Sequence, residues 1–246
     1  MRIVRHSDKT ALGQAAAREG IAAVRTALAE RGEAVIVLAT GASQFEMLDH
    51  FVTADLDFGR ITAFHLDEYV GLPESHGASF RRYLRERVID RVPAFADFVL
   101  IDGEAPDIGA EIARLNARLA PLSVDVCFAG IGENCHLAFN DPPADFETED
   151  PFLVVELDEA CRRQQMGEGW FATLDAVPRQ AISMSIRQMM KARKVILSVS
   201  DSRKAEAVRA AVAGPVSPDY PASVMQGHPD CSLHLDPAAA ALLTDA

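Results

Sequence analysis

The sequence predicts an α/β fold: a single Rossmann-like domain spanning residues 1–246, with a mostly parallel sheet and helices on both faces. Two observations carry this. Short apolar runs of strand length alternate with longer segments of helical periodicity along the chain. The runs at 34–39 and 124–129 are apolar throughout, as expected of strands buried on both faces. No internal repeat, low-complexity segment or linker-like stretch divides the chain.

Taken in order, residues 7–31 are alanine-rich, with Ala11, Ala15, Ile21, Val24 and Leu28 at helical spacings, and Gly32 ends that helix. The run 34–39 is a strand, 40–43 a turn and 44–54 a second helix. A strand at 60–66 leads into the loop that begins Asp67-Glu68-Tyr69. Residues 79–91 read as a helix with Tyr83, Leu84 and Val88 inward, 96–101 as a strand and 105–119 as a helix. The strand at 124–129 is followed by a glycine loop. Strands are expected at 152–157, 181–184, 194–200 and 232–235, and helices at 186–192, 204–213 and 237–243. Pro142-Pro143 and the 214–221 region read as loops inside the domain.

The 246 residues are 49% hydrophobic and 24% charged, ordinary for a globular chain with a sizeable core. A formal net charge of −12 disfavours nucleic acid and anionic membranes as partners, since both require clustered Lys and Arg. It leaves an anionic small molecule open, because a few convergent cations and backbone amides bind phosphate within an acidic protein. No apolar run approaches the roughly 18 residues of a membrane span, and no apolar segment follows Arg2 and Arg5 as in a signal peptide. Cys127, Cys135, Cys161 and Cys231 form no CxxC pair, which points to reduced thiols in a cytoplasmic protein. The histidines do not fall at close metal-ligand spacing, so no metal is expected.

Three loops carry the chemistry. Thr40-Gly41-Ala42-Ser43, between a strand and a helix, reads either as a phosphate cradle of backbone amides and hydroxyls or as an N-cap turn. Asp67 stands just past a strand end, where burial tunes a carboxylate toward use as a general base; capping of a turn by Asp67 and Glu68 is the other reading. The stretch Gly130-Ile131-Gly132-Glu133-Asn134-Cys135-His136-Leu137-Ala138-Phe139-Asn140-Asp141-Pro142 presents a histidine at the carboxyl end of a strand, where open α/β sheets bind ligands. Asp141 is placed to orient or charge-tune His136. Cys135 reads as a turn residue in preference to a thiol nucleophile, and no Gly-x-Ser-x-Gly elbow supports serine hydrolysis.

Together these loops resemble the glucosamine-6-phosphate deaminase (isomerase) family, in the larger group that also holds 6-phosphogluconolactonase. The resemblance runs over nearly the whole chain. It begins at Leu38-Ala39-Thr40-Gly41-Ala42-Ser43 and is strongest at Leu66-Asp67-Glu68-Tyr69-Val70-Gly71-Leu72-Pro73 and through the 130–142 loop. It continues at Val177-Pro178-Arg179-Gln180-Ala181 and Lys204-Ala205-Glu206-Ala207-Val208. The Asp67–Leu72 segment favours the deaminase branch over the lactonase branch.

The resemblance implies conversion of an amino-sugar phosphate, such as glucosamine 6-phosphate, to fructose 6-phosphate and ammonia without a metal or redox cofactor. Asp67 would shuttle a proton between C2 and C1, His136 would help open the ring, and Asn134 and Asp141 would complete the catalytic set. Thr40, Gly41, Ala42, Ser43 and Lys204, with Glu68, would hold the substrate and its phosphate. A homo-oligomer is compatible with the resemblance. The chain departs from the family pattern in three places. Asn134-Cys135-His136 replaces Asp-Gly-His, Asp141 replaces Glu, and Gly169 stands where the deaminases carry a phosphate-binding arginine. Arg162, Arg163 and Gln165 are the neighbouring candidates to replace it. A lactonase, or a sugar-phosphate sensor with little catalysis, is the alternative reading.

Overall fold

The computed structural model describes residues 1–244. Seven strands form an all-parallel sheet: β1 (Arg2–Arg5), β2 (Ala34–Leu38), β3 (Ile61–His65), β5 (Asp97–Val99), β6 (Val126–Ala129), β9 (Lys194–Val199) and β10 (Cys231–Leu235). Their spatial order is β1-β10-β9-β6-β2-β3-β5. A second sheet of three antiparallel strands, in the order β4-β8-β7, joins β4 (Asp67–Tyr69), β8 (Gln180–Met184) and β7 (Phe152–Glu156).

Alternation along the central strands builds two cores. On β2, Val35 and Val37 enter one apolar cluster while Ala34, Ile36 and Leu38 enter the other. Helices α1 (Lys9–Arg31), α2 (Phe45–Phe51) and α3 (Phe80–Arg87) cover the second face through Val24, Leu48 and Leu84. Helices α4 (Ile108–Leu119), α6 (Ile186–Met190) and α7 (Ala205–Ala213) cover the first through Leu115, Met189 and Val208. The sequence expectation of a mostly parallel sheet with helices on both faces is met. α1 lies directly on β6: a Cβ at Gly20 would fall 2.1 Å from the Phe128 ring.

Local signals set the helix ends. The Asp8 carboxylate accepts the Ala11 N–H at 2.8 Å to cap α1, and Gly32, with φ of 81°, closes it in the left-handed conformation. Ser79 caps α3 and Asp107 caps α4 in the same way.

Four segments differ from the sequence expectation. β1 was not anticipated; it is a four-residue edge strand whose pattern Arg-Ile-Val-Arg carries little apolar signal. Residues 67–69, expected as a loop, form β4, because β8 supplies an antiparallel partner. Helix α5 (Glu159–Gly167) was not foreseen, although Asp158 caps it through the Cys161 N–H. The helix expected at 237–243 is a series of turns: Asp236 caps the Ala239 N–H, and the Ala241 and Leu243 amides reach back only three residues.

Candidate active site

A cavity of about 480 Å3 opens at the carboxyl ends of β2, β3, β6 and β9. It lies beside the boundary between β2 and β6, where the order of connection reverses and α/β sheets bind ligands. Thr40, Gly41, Ala42 and Ser43 line it after β2, Asp67 after β3, Gly132 and His136 after β6, and Arg203 and Lys204 after β9.

The 40–43 segment is fixed as a cradle. Gly41 adopts φ of 110°, a conformation open to glycine, and residues Ala42–Gln44 form a single tight turn before α2. The Tyr83 hydroxyl donates to the Gly41 carbonyl at 3.0 Å. The buried Gln44 amide donates to the Ala129 and Ser198 carbonyls at 3.2 and 3.4 Å, tying this turn to the ends of β6 and β9. Lys204 enters from the opposite wall; its Nζ is 4.0 Å from Glu168 Oε1, and burial lowers its pKa below the ordinary lysine value. Lys9 and Arg203 add two more cations to the lining.

Asp67 and Glu68 part company on β4. Asp67 lines the cavity and its carboxylate accepts no hydrogen bond from the described residues. Burial, reinforced by the neighbouring Glu68 charge, pushes its pKa up to about 8. Glu68 does not line the cavity. Its carboxylate accepts from Tyr69 N, Ser79 Oγ, Phe80 N and Arg81 N at 2.8–3.2 Å, with Arg81 Nε 3.4 Å away. It therefore braces the start of α3 and is not placed to hold substrate, contrary to the sequence expectation. His65, at the end of β3, is fully buried; its Nε2 accepts the Ile101 N–H and burial lowers its pKa to about 3, so it stays neutral.

His136 packs flat against Gly132, where a Cβ would fall 2.3 Å from its ring. Its Nδ1 stands 3.1 Å from Asp141 Oδ1, slightly off hydrogen-bonding alignment. Asn134 links the pair: its Nδ2 donates to Asp141 Oδ1 at 3.0 Å, and its Oδ1 accepts the His136 N–H at 3.2 Å. Asp141 Oδ2 accepts the Asp158 N–H at 3.0 Å. Burial raises the Asp141 pKa, but the His136 ring, the Asn134 amide and the Asp158 N–H outweigh it and hold the carboxyl below its ordinary value. Cys135, with φ of 72°, turns away from the cavity, and its thiol is held protonated near 11 by burial.

The description "Glucosamine-6-phosphate isomerases/6-phosphogluconolactonase" belongs to the family profile that matches residues 7–233. The chain is a member of that family. It is 38% identical over 212 residues to a glucosamine-6-phosphate deaminase of Streptococcus pneumoniae serotype 4, covering 86% of this chain and 89% of the relative. It is also 38% identical over 216 residues to the deaminase of Lactobacillus delbrueckii subsp. bulgaricus, covering 87% and 89%. A solved monomeric glucosamine-6-phosphate deaminase superposes with a TM-score of 0.90 at 31% identity, covering 98% of this chain and 100% of that one. The 6-phosphogluconolactonase of Trypanosoma brucei shares the fold, with a TM-score of 0.81 at 18% identity over 99% and 98% of the two chains.

Against the family pattern, Gly169 has φ of 86° and open space where a side chain would project. Of the three neighbours expected to replace the arginine, Gln165 lines the cavity. Arg162 is spent on the Leu174 and Val177 carbonyls, and Arg163 pairs with Glu159; neither lines the cavity. The cations that do line it besides Lys204 are Lys9 and Arg203, which the sequence reading missed. The only available signal was the adjacency of Arg203 to Lys204; Lys9 sits on α1 with no motif around it.

Proposed function

We propose that the chain deaminates and isomerises glucosamine 6-phosphate or a close amino-sugar phosphate, giving fructose 6-phosphate and ammonia. One observation carries this reading. A single cavity joins a carboxyl group poised near neutrality, a histidine paired with a carboxylate, and a glycine cradle facing cations. Such a set anchors an anion at one end and moves protons at the other.

In this reading, residues Thr40 to Ser43 and Lys204 hold the phosphate, with Arg203 and Lys9 supplying charge in place of the family arginine. His136, oriented by Asp141 and Asn134, moves the proton that opens the pyranose ring. Asp67 takes the proton from C2 and returns it to C1, so the C2 amine becomes a C2 iminium. Water adds to C2, the C–N bond breaks, and ammonia leaves. Four unpaired cysteines agree with a reducing cytoplasmic setting.

The test is incubation of the purified chain with glucosamine 6-phosphate in deuterated water. The expected products are equimolar ammonia and fructose 6-phosphate, with solvent exchange at C1. Acid release from 6-phosphogluconolactone without ammonia would reassign the chain to the lactonases. Binding of amino-sugar phosphates without any turnover would make it a sensor.

A further inference from the structure

Beneath the catalytic histidine lies a third potential ligand with no part in the proton chemistry. Cys161, on the first turn of α5, is fully buried. Its Sγ, a nitrogen of His136 and a carboxylate oxygen of Asp141 all lie within 4.8 Å of one another. His136 is 7% exposed and its Nδ1 is buried without a hydrogen-bond partner, facing this cluster. Asp141 is already held in place by Asn134 and the Asp158 N–H, the kind of outer support that orients metal-binding carboxylates. The cluster adjoins the substrate cavity through His136, which lines it; Asp141 and Cys161 lie behind that lining.

We propose that His136, Asp141 and Cys161 form a binding site for a thiophilic divalent cation of the Zn2+ or Cd2+ class, and that occupancy blocks the His136 proton transfer. Three protein ligands of mixed N, O and S character suit such a cation and not Mg2+ or Ca2+, which take oxygen alone. Binding forms bonds from the ion to the three groups, and the thiol proton leaves to solvent. The thiol must lose its proton to bind the ion, so affinity rises with pH. Metal binding stands apart from the proposed reaction; only the inhibition rests on it.

The test uses Cd2+ and Zn2+ with the whole chain. Cd2+ should bind with one-to-one stoichiometry and give an ultraviolet Cd–thiolate band. Cys161→Ala should abolish the band and weaken binding at least about tenfold, which is about 1.4 kcal/mol, while Cys135→Ala should leave both unchanged. Ammonia release should be inhibited by Zn2+ in the wild type, and Cys161→Ala should keep its turnover while losing sensitivity. Cys161→Ser, closer in size, guards against a folding defect. A band that survives in Cys161→Ala, or absence of one-to-one binding, overturns the site whether or not the chain is a deaminase. Binding without inhibition overturns the second half alone.

Discussion

Asp67 and Glu68, consecutive on β4, face opposite environments: Asp67 meets the cavity and Glu68 meets the N-terminus of α3. Neighbouring residues on a strand point to opposite sides, so this short strand turns one carboxylate to the cavity and the other to the frame of α3. Glu68 has the Arg81 guanidinium 3.4 Å away and Asp67 has no ion-pair partner among the described residues, yet burial raises both.

The first prediction concerns Asp67. In the ligand-free protein its carboxyl should titrate near 8. Carbon-detected NMR of the side chain checks this, and a midpoint near 4 would sink the assignment. Asp67→Asn should lower turnover by about 100- to 10,000-fold.

The same group predicts an unusual stability profile. Asp67 binds its proton more tightly folded than unfolded, so its contribution to the folded state is present in full below the unfolded pKa and is lost as pH rises through the folded one. Between about pH 4 and pH 8, wild-type stability should fall as pH rises. Asp67→Asn lacks that loss and should melt several degrees higher at pH 8. Thermal melts of both proteins across this range decide it; parallel curves would count against a buried, unpaired carboxylate.

Glu68→Ala should act on folding and not on chemistry directly. It strips the first turn of α3 of acceptors for the Phe80 and Arg81 amides and leaves the Arg81 guanidinium short of one partner, although Asp102 and Glu104 remain beside it. Loss of a buried, charged acceptor of this kind costs about 3 kcal/mol. Denaturant unfolding measures it.

Gly132→Ala should push the His136 ring out of line, since the new methyl would sit where the ring packs. Displacement of about 1 Å costs up to roughly 100-fold in rate, so kcat should fall about 10- to 100-fold with KM little changed. Equal loss in both would indicate general misfolding.

Lys204→Met should raise KM for a phosphorylated substrate by about 10- to 100-fold, the worth of a charged hydrogen bond. Steady-state kinetics checks this, and an unphosphorylated amino sugar should show no such dependence on Lys204.

Much of this site was legible because its residues follow strong local signals. The apolar runs that became β2, β6 and β9 end directly in Thr40–Ser43, the His136 loop and Lys204. What was hidden depended on partners distant in sequence. β4 exists because β8 pairs with it, and without recognising that strand the opposite facing of Asp67 and Glu68 could not be read. α5 mixes Cys161, Arg162 and Gln165 on its buried side, so no apolar stripe announced it. Lys9 joins the cavity through the packing of α1 against α2, which no local pattern records.

The tie from Gln44 to the Ala129 and Ser198 carbonyls joins three strand ends that lie far apart along the chain. A ligand seated there touches the first, middle and last thirds of the polypeptide at once. Its binding is therefore coupled to the whole fold and not to one lobe of it. Saturating sugar phosphate should slow exchange of the most protected amides in β2, β6 and β9 together, by RT ln(1 + [L]/Kd), making the substrate a reporter of global unfolding.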